Sequence, residues 1–93
     1  MEIKHLEDQR LFVLYSDTGA PMGEIAYTPR GGELHATHTR VFPEYEGQGL
    51  AAKLLDALAG YARQQQLTIV PVCSYVVHAF AKYPAKYADV MKK

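Results

Sequence analysis

Residues 33–73 constrain the fold more than any other part of the chain. They read as a strand, a glycine turn, an amphipathic helix and a second strand. "ELHATHTRVF" (33–42) alternates as a strand does, and Pro43 ends it. In "EGQGLAAKLLDALAGYARQQ", Leu50, Leu54, Leu55, Leu58, Tyr61 and Ala62 recur on one helical stripe over residues 48–65, with Lys53, Asp56, Arg63 and Gln64 on the polar side. "LTIVPVC" (67–73) is short, β-branched and nearly uninterrupted in apolar character, which suits a strand buried on both faces. Pro71 lacks an N–H, so this strand belongs at an edge or is distorted there. Strand, helix and strand in that order predict a parallel pair joined by a right-handed crossover.

The flanking segments complete an α+β pattern. "RLFVLYSD" (10–17) is a strand, "TGAPMG" (18–23) a loop and "EIAYTPR" (24–30) a second strand, joined by "GG" (31–32) in a tight hairpin to residues 33–42. Alternation along that third strand puts Glu33, His35, Thr37, Thr39 and Val41 on one face, and Leu34, Ala36, His38, Arg40 and Phe42 on the other. Ser74 is placed to cap a helix over 75–83, Pro84 breaks it, and "AKYADVMKK" reads as a last helical turn. The predicted order is β-β-β-α-β-α in a single domain, 1–93, with a mixed, mostly antiparallel sheet and one parallel strand pair.

Composition narrows the function classes. Ten basic and ten acidic side chains cancel, leaving no electrostatic footprint for nucleic acid or an anionic membrane. No apolar run reaches membrane-spanning length, and "MEIKHLEDQR" has no apolar signal-peptide core. A single cysteine excludes an internal disulfide and fits a reducing cytoplasm. No CxxC or HExxH pattern points to a metal.

The turn "PEYEGQGLA" carries the first chemistry. Backbone N–H groups in a first helical turn have no partner within the helix, and the helix dipole adds positive potential there. A phosphate accepts from several of them at once, and glycines let it approach the backbone. "GQG" alone is equally compatible with a plain strand-to-helix connection, and Glu44 and Glu46 put negative charge at its mouth. Walker A is excluded because Gly-Lys-Ser/Thr is missing, and a Rossmann fingerprint is poor because no third glycine follows.

In this setting "EGQGLA" resembles motif A of the GNAT N-acetyltransferase superfamily, Gln/Arg-x-x-Gly-x-Gly/Ala. Glu46 stands at the Gln/Arg position, Gly49 at the central glycine and Ala51 at the last position. The "YAR" helix end, "VPVCSYV" and "KYPAKYAD" extend the likeness over roughly residues 10–90 and resemble the short, stand-alone branch of that superfamily. The resemblance implies acetyl-CoA (coenzyme A) as cofactor, with its pyrophosphate on the N–H groups of Gly47, Gln48, Gly49, Leu50 and Ala51. It implies a pantetheine arm between the splayed ends of strands 33–42 and 67–73, pairing with the backbone near Thr39, Arg40 and Val41. Residues 1–93 hold no counterpart of the N-terminal helices and last strands that commonly build the acceptor pocket in that superfamily, which leaves the amine acceptor open.

The resemblance puts Cys73 near the acetyl group. A helix N-terminus lowers a thiol pKa, so an acetyl-cysteine step is one reading, and a small buried hydrophobe is the other. In most of the superfamily the amine attacks acetyl-CoA directly. His38, with His35, Glu33 and Glu24 as alternatives, is a candidate base, though a hydrogen-bonded or solvent-facing strand histidine is the better explanation of either His. Tyr75 is a candidate proton donor to the leaving thiolate, and Phe80 and Tyr83 are candidates to flank adenine or pantetheine. Helix packing is the competing explanation for these aromatics. Lys53, Lys82 and Lys86 are candidates for the ribose phosphate. Two functions follow: a small cytoplasmic N-acetyltransferase, or a non-catalytic CoA-binding or protein-interaction module on the same fold.

Overall fold

The strand–helix–strand unit forms as the sequence reads it, and the rest of the chain extends its sheet on one side. The computed structural model describes residues 1–92. Five strands lie in the order β1 (Glu2–Leu6), β2 (Leu11–Tyr15), β3 (Pro21–Arg30), β4 (Glu33–Val41), β5 (Thr68–Pro71), neighbours in sequence being neighbours in the sheet. The first four pair antiparallel, and β4 and β5 pair parallel. Helix α1 (Leu50–Gln65) makes the crossover between them; α2 (Ser74–Lys82) and the short α3 (Pro84–Tyr87) follow β5. A buried α1 stripe of Leu50, Leu54, Leu55, Leu58, Ala59 and Ala62 meets Phe12, Leu14, Ile25, Leu34 and Ile69 from the sheet. Val76 and Phe80 of α2 and Tyr87 of α3 join the same core, which covers one face of the sheet.

Apart from element ends, where β3 begins at Pro21 inside the segment read as a loop over 18–23, four features differ from the sequence reading. β1 is an added strand, since "EIKHL" has too few apolar residues to announce one. It is held through His5, which stacks on Phe12 at 4.1 Å between ring centroids, meets Tyr27 Oη at 2.5 Å and sits edge-on to Tyr61 of α1. β5 is buried on one face, not two: Ile69 is fully buried, while Thr68, Val70 and Pro71 are half-exposed. It is an edge strand, as Pro71 requires, but its outer side is covered, because Ile69 N–H donates to Val90 C=O at 2.6 Å and Ile69 bridges to Met91. The capping residue of α2 is Cys73 rather than Ser74, which is the first helical residue.

The fourth difference is a β-bulge. Tyr27 faces Ala36 and Ala26 faces His38, so Thr37 is an extra residue on β4. A one-residue insertion exchanges the faces of everything beyond it. Leu34 and Ala36 point into the core, and beyond the bulge Thr39 and Val41 take that side. The expectation that His38 and Arg40 share a face with Leu34 is therefore corrected: both are exposed on the open face of the sheet.

Three register positions beyond the bulge, Gly23 of β3 lies opposite Val41 of β4 and under α1. A Cβ placed on Gly23 would lie 2.7 Å from the Arg40 carbonyl oxygen and 3.3 Å from Leu54 Cδ1. Gly23→Ala forces those elements apart and is expected to cost about 1–3 kcal/mol, read as a lower urea midpoint at unchanged slope. An unchanged midpoint would refute this close contact.

Candidate functional site

The parallel ladder between β4 and β5 runs from Glu33↔Thr68 to Ala36↔Pro71 and then stops. Two causes coincide there: Pro71 has no N–H to continue it, and the Ala36 carbonyl is taken by two donors, Val72 N–H at 3.1 Å and Cys73 N–H at 2.8 Å. The chain swings away into α2, while β4 continues beside β3 alone. The result is a fork.

The main chain of β4 faces this fork at alternate residues. Phe42 N–H donates to Met22 C=O at 3.0 Å, and Arg40 stands opposite Glu24 in the next hydrogen-bonded register. Residues 40 and 42 thus spend their backbone groups on β3, and Thr39 and Val41 turn theirs to the fork. Of the three residues expected to offer backbone to a pantetheine arm, Thr39 and Val41 are so placed. Arg40 is not, and its guanidinium lies over the Phe42 ring, 4.8 Å from the centroid.

Cys73 closes the fork from the other branch. It caps α2 with extended geometry (φ −64°, ψ 135°), and its Sγ lies 3.5 Å from Thr39 Oγ1. Partial burial pushes the thiol pKa up. The Thr39 hydroxyl and, after it, the N–H groups of Val76, Tyr75 and Thr39 together outweigh burial and lower it below the ordinary thiol value. None of these helix amides makes a full capping hydrogen bond to the sulfur; they act as a converging set of dipoles. Next to it, the half-buried Tyr75 has its phenol pKa raised, first by burial and then by the charge of Asp56. A thiol inclined to ionise and a phenol inclined to keep its proton thus stand two residues apart at the head of α2.

At the far end of β4 the turn Pro43–Tyr45 leads through Glu46 to α1. Gly47 and Gly49 have φ of +83° and +72°, left-handed values that favour glycine. Gly49 caps α1 with no side-chain hydrogen bond, and the first turn of the helix holds no acidic residue. A Cβ on either glycine would meet nothing within 4 Å, so the turn is open around them. Exposed N–H groups at the head of a sixteen-residue helix, unobstructed on the ligand side, fit a pyrophosphate. Gln48 is exposed, Ala51 is half-buried and Leu50 turns its side chain into the core, contributing backbone only. Glu44 and Glu46 are exposed and form no ion pair among the described residues.

Other candidates fall outside this frame. His38 is separated from Cys73 by the sheet, and His35 is hydrogen-bonded to Glu33 at 3.2 Å. Phe80 is 4% exposed and packs on Tyr87, so it is a core residue. Tyr83 is exposed at the end of α2 with Lys82 over its ring, and Lys86 is paired with Asp56. Sequence reasoning assigned Thr39 only a backbone role and gave Asp56 none. A hydroxyl thirty-four positions from its cysteine, and a carboxylate thirty-one from its tyrosine, leave no local pattern to read. No group of three or more metal-ligating side chains converges among the described residues, and none of their helices is long and apolar enough to cross a membrane.

A sequence profile described as GCN5-related N-acetyl-transferase matches residues 11–90. The chain belongs to the GCN5-related N-acetyltransferase family. A GCN5-like protein from Staphylococcus aureus, solved by NMR, is 35% identical; the alignment covers 98% of this chain and 87% of that one, with a TM-score of 0.77. A candidate acyl-CoA N-acyltransferase from Klebsiella pneumoniae is 26% identical over 86% of this chain and 59% of its own, with a TM-score of 0.64. A ribosomal-protein-alanine N-acetyltransferase from Brucella melitensis, 20% identical over 96% of this chain and 68% of that one, shares the fold with a TM-score of 0.60. No curated protein matches the chain. The family's general chemistry is acetyl transfer, and its fold is the mixed sheet with one parallel pair described above.

The lowered thiol pKa of Cys73 is open to measurement. Its alkylation rate against pH is expected to have a midpoint below that of an ordinary, unperturbed cysteine. Thr39→Val removes the hydroxyl that meets the sulfur at nearly constant volume; the midpoint should rise and alkylation at pH 7 should slow, because less thiolate is present. A midpoint indifferent to Thr39→Val would contradict the role given to this hydroxyl.

Proposed function

We propose that the chain is an acetyl-CoA-dependent N-acetyltransferase acting on a primary amine, in a cytoplasmic setting consistent with its single cysteine. The observation that carries this reading is the fork: the Cys73 branch leaves β4 beside Ala36 and Thr39, the open glycine turn follows the C-terminal end of the same strand, and the Thr39 and Val41 main chain lies between them. Acetyl-CoA, when bound, supplies an activated acetyl thioester. The N–H groups of residues 47–51 would hold its pyrophosphate, and the Thr39 and Val41 main chain would take the pantetheine as an added strand. A Val41 N–H directed into the fork is suited to stabilise charge on the thioester oxygen. Direct attack by the positioned amine is the default course.

Tyr75, holding its proton, is suited to protonate the leaving thiolate. Cys73 is suited to a second course, in which its thiolate receives the acetyl group before the amine does. His38, exposed on the opposite face, has no path to the fork in this arrangement, so the amine's proton goes to solvent or to a group the acceptor brings. The exposed carboxylates at the mouth of the turn favour a second reading, a CoA-binding module without turnover. Acetyl transfer to any member of a panel of amines, polyamines and peptides, lost in Gly49→Trp, separates the two.

Acetyl-CoA at a hundredfold excess over Kd should stabilise the fold by roughly 2.7 kcal/mol, a rise in Tm on the order of 10 °C for a domain of this size. Gly49→Trp, which fills the open turn, should abolish that rise, and no rise in the unaltered protein would overturn the proposal. Glu46→Arg replaces a repelling charge with an attracting one and should tighten CoA binding most at low salt. Equal affinity of the two proteins at low salt would mean that Glu46 points away from the ligand. Incubation with acetyl-CoA followed by intact mass reports the acyl-cysteine course: one added acetyl group, absent in Cys73→Ala.

A further inference from the structure

The segment after α2 is clamped to the outer side of α1. Asp56 Oδ1 accepts from Tyr87 Oη at 2.7 Å, and Lys86 Nζ donates to Asp56 at 3.1 Å. Further along α1, Arg63 donates to Asp89 at 2.6 Å and to the Lys86 carbonyl at 3.0 Å. Most of these contacts are solvent-exposed and contribute little alone. The Tyr87 contact differs, because Tyr87 is 2% exposed and a buried phenol without its acceptor is costly. The Tyr87 ring packs on Phe80 of α2 with centroids 5.2 Å apart. A continuous path therefore runs from Asp56 through Tyr87 and Phe80 into the helix that begins at Cys73 and carries Tyr75 in its first turn.

On the reading above, in which the Cys73–Tyr75 turn is where chemistry occurs, we propose that Asp56, anchored by Tyr87 and Lys86, is a positioning residue that fixes this turn of α2 against α1. Its charge acts on the same turn. The Tyr75 phenol is raised by burial, then by Asp56, then by Tyr83; the Tyr87 phenol is raised by burial, then by its hydrogen bond to Asp56 and by that carboxylate's charge, with Tyr75 adding and Arg63 opposing. The ionisable groups tied to Asp56 are Tyr75, Tyr87, Lys86 and Arg63, and Lys53 and the N-terminal residue Met1 line the same recess. None of them belongs to the glycine turn, so Asp56 should act on the chemistry of α2 and leave the pyrophosphate contact unchanged.

The test is NMR titration of the full chain carrying carbon-13-labelled tyrosine, comparing wild type with Asp56→Asn, Asp56→Glu and Tyr87→Phe. Asp56→Asn keeps an acceptor for Tyr87 but has no charge. Tyr75 should then titrate at lower pH than in wild type, and Asp56→Glu should restore it. With acetyl-CoA and an accepted amine, kcat should fall roughly tenfold in Asp56→Asn and in Tyr87→Phe, with KM for acetyl-CoA unchanged. A Tyr75 titration identical in wild type and Asp56→Asn would overturn the proposal, as would a rise in KM for acetyl-CoA at constant kcat. The titration needs no turnover. A chain that transfers no acetyl group would refute the proposed function while the titration still decides the role of Asp56.

Discussion

The Ala36 carbonyl oxygen is the point on which the site turns. It accepts two N–H groups from consecutive residues, Val72 and Cys73, and in doing so ends a four-residue parallel strand and starts a helix. Had the ladder gone on, the main chain of Thr39 and Val41 would be bonded to β5 and no fork would exist. Had β5 ended earlier, Cys73 would not reach Thr39. The bulge at Thr37 completes the arrangement, because the extra residue turns the Thr39 side chain to the branch from which the thiol comes. Short parallel pairing, proline, bulge and helix cap are separate devices that agree on one opening.

Local pattern made part of this legible. The leucine stripe of α1 repeats every three or four residues and can be nothing but one helix face. A β-branched run after it needs a parallel partner. The glycines at 47 and 49 announce a turn whose backbone is unusual. What stayed hidden was of another kind. β1 is held by aromatic contacts of His5 with Phe12 on the next strand and with Tyr61 far along the chain on α1, and its own composition is that of a surface loop. The bulge leaves the alternation of residue types in β4 untouched, so reading alternation straight through Thr37 misplaces His38 and Arg40. Phe80 looked like a ligand-facing aromatic because a helix of nine residues offers a face on every side, and only the placement of Tyr87 decides which one is inner.

Charge is used here in two opposite ways. Around Cys73 it is the arrangement of neutral dipoles, a hydroxyl and two helix amides, that favours the anion. Around Tyr75 and Tyr87 it is the formal charge of Asp56, together with burial, that disfavours one. The two groups are two residues apart in sequence and tuned in opposite directions.

The coverage of β5 by Val90 and Met91 has a consequence for the whole surface. With Ile69 bonded on both sides, β1 and the fork are the open rims of the sheet among the described residues. A free rim invites another chain to add itself, and natural sheets discourage this with short strands and inward or central lysines. β1 has five residues with Lys4 at its centre. The C-terminal segment that steadies the helix behind the fork thus also halves the problem of keeping so small a sheet from recruiting copies of itself.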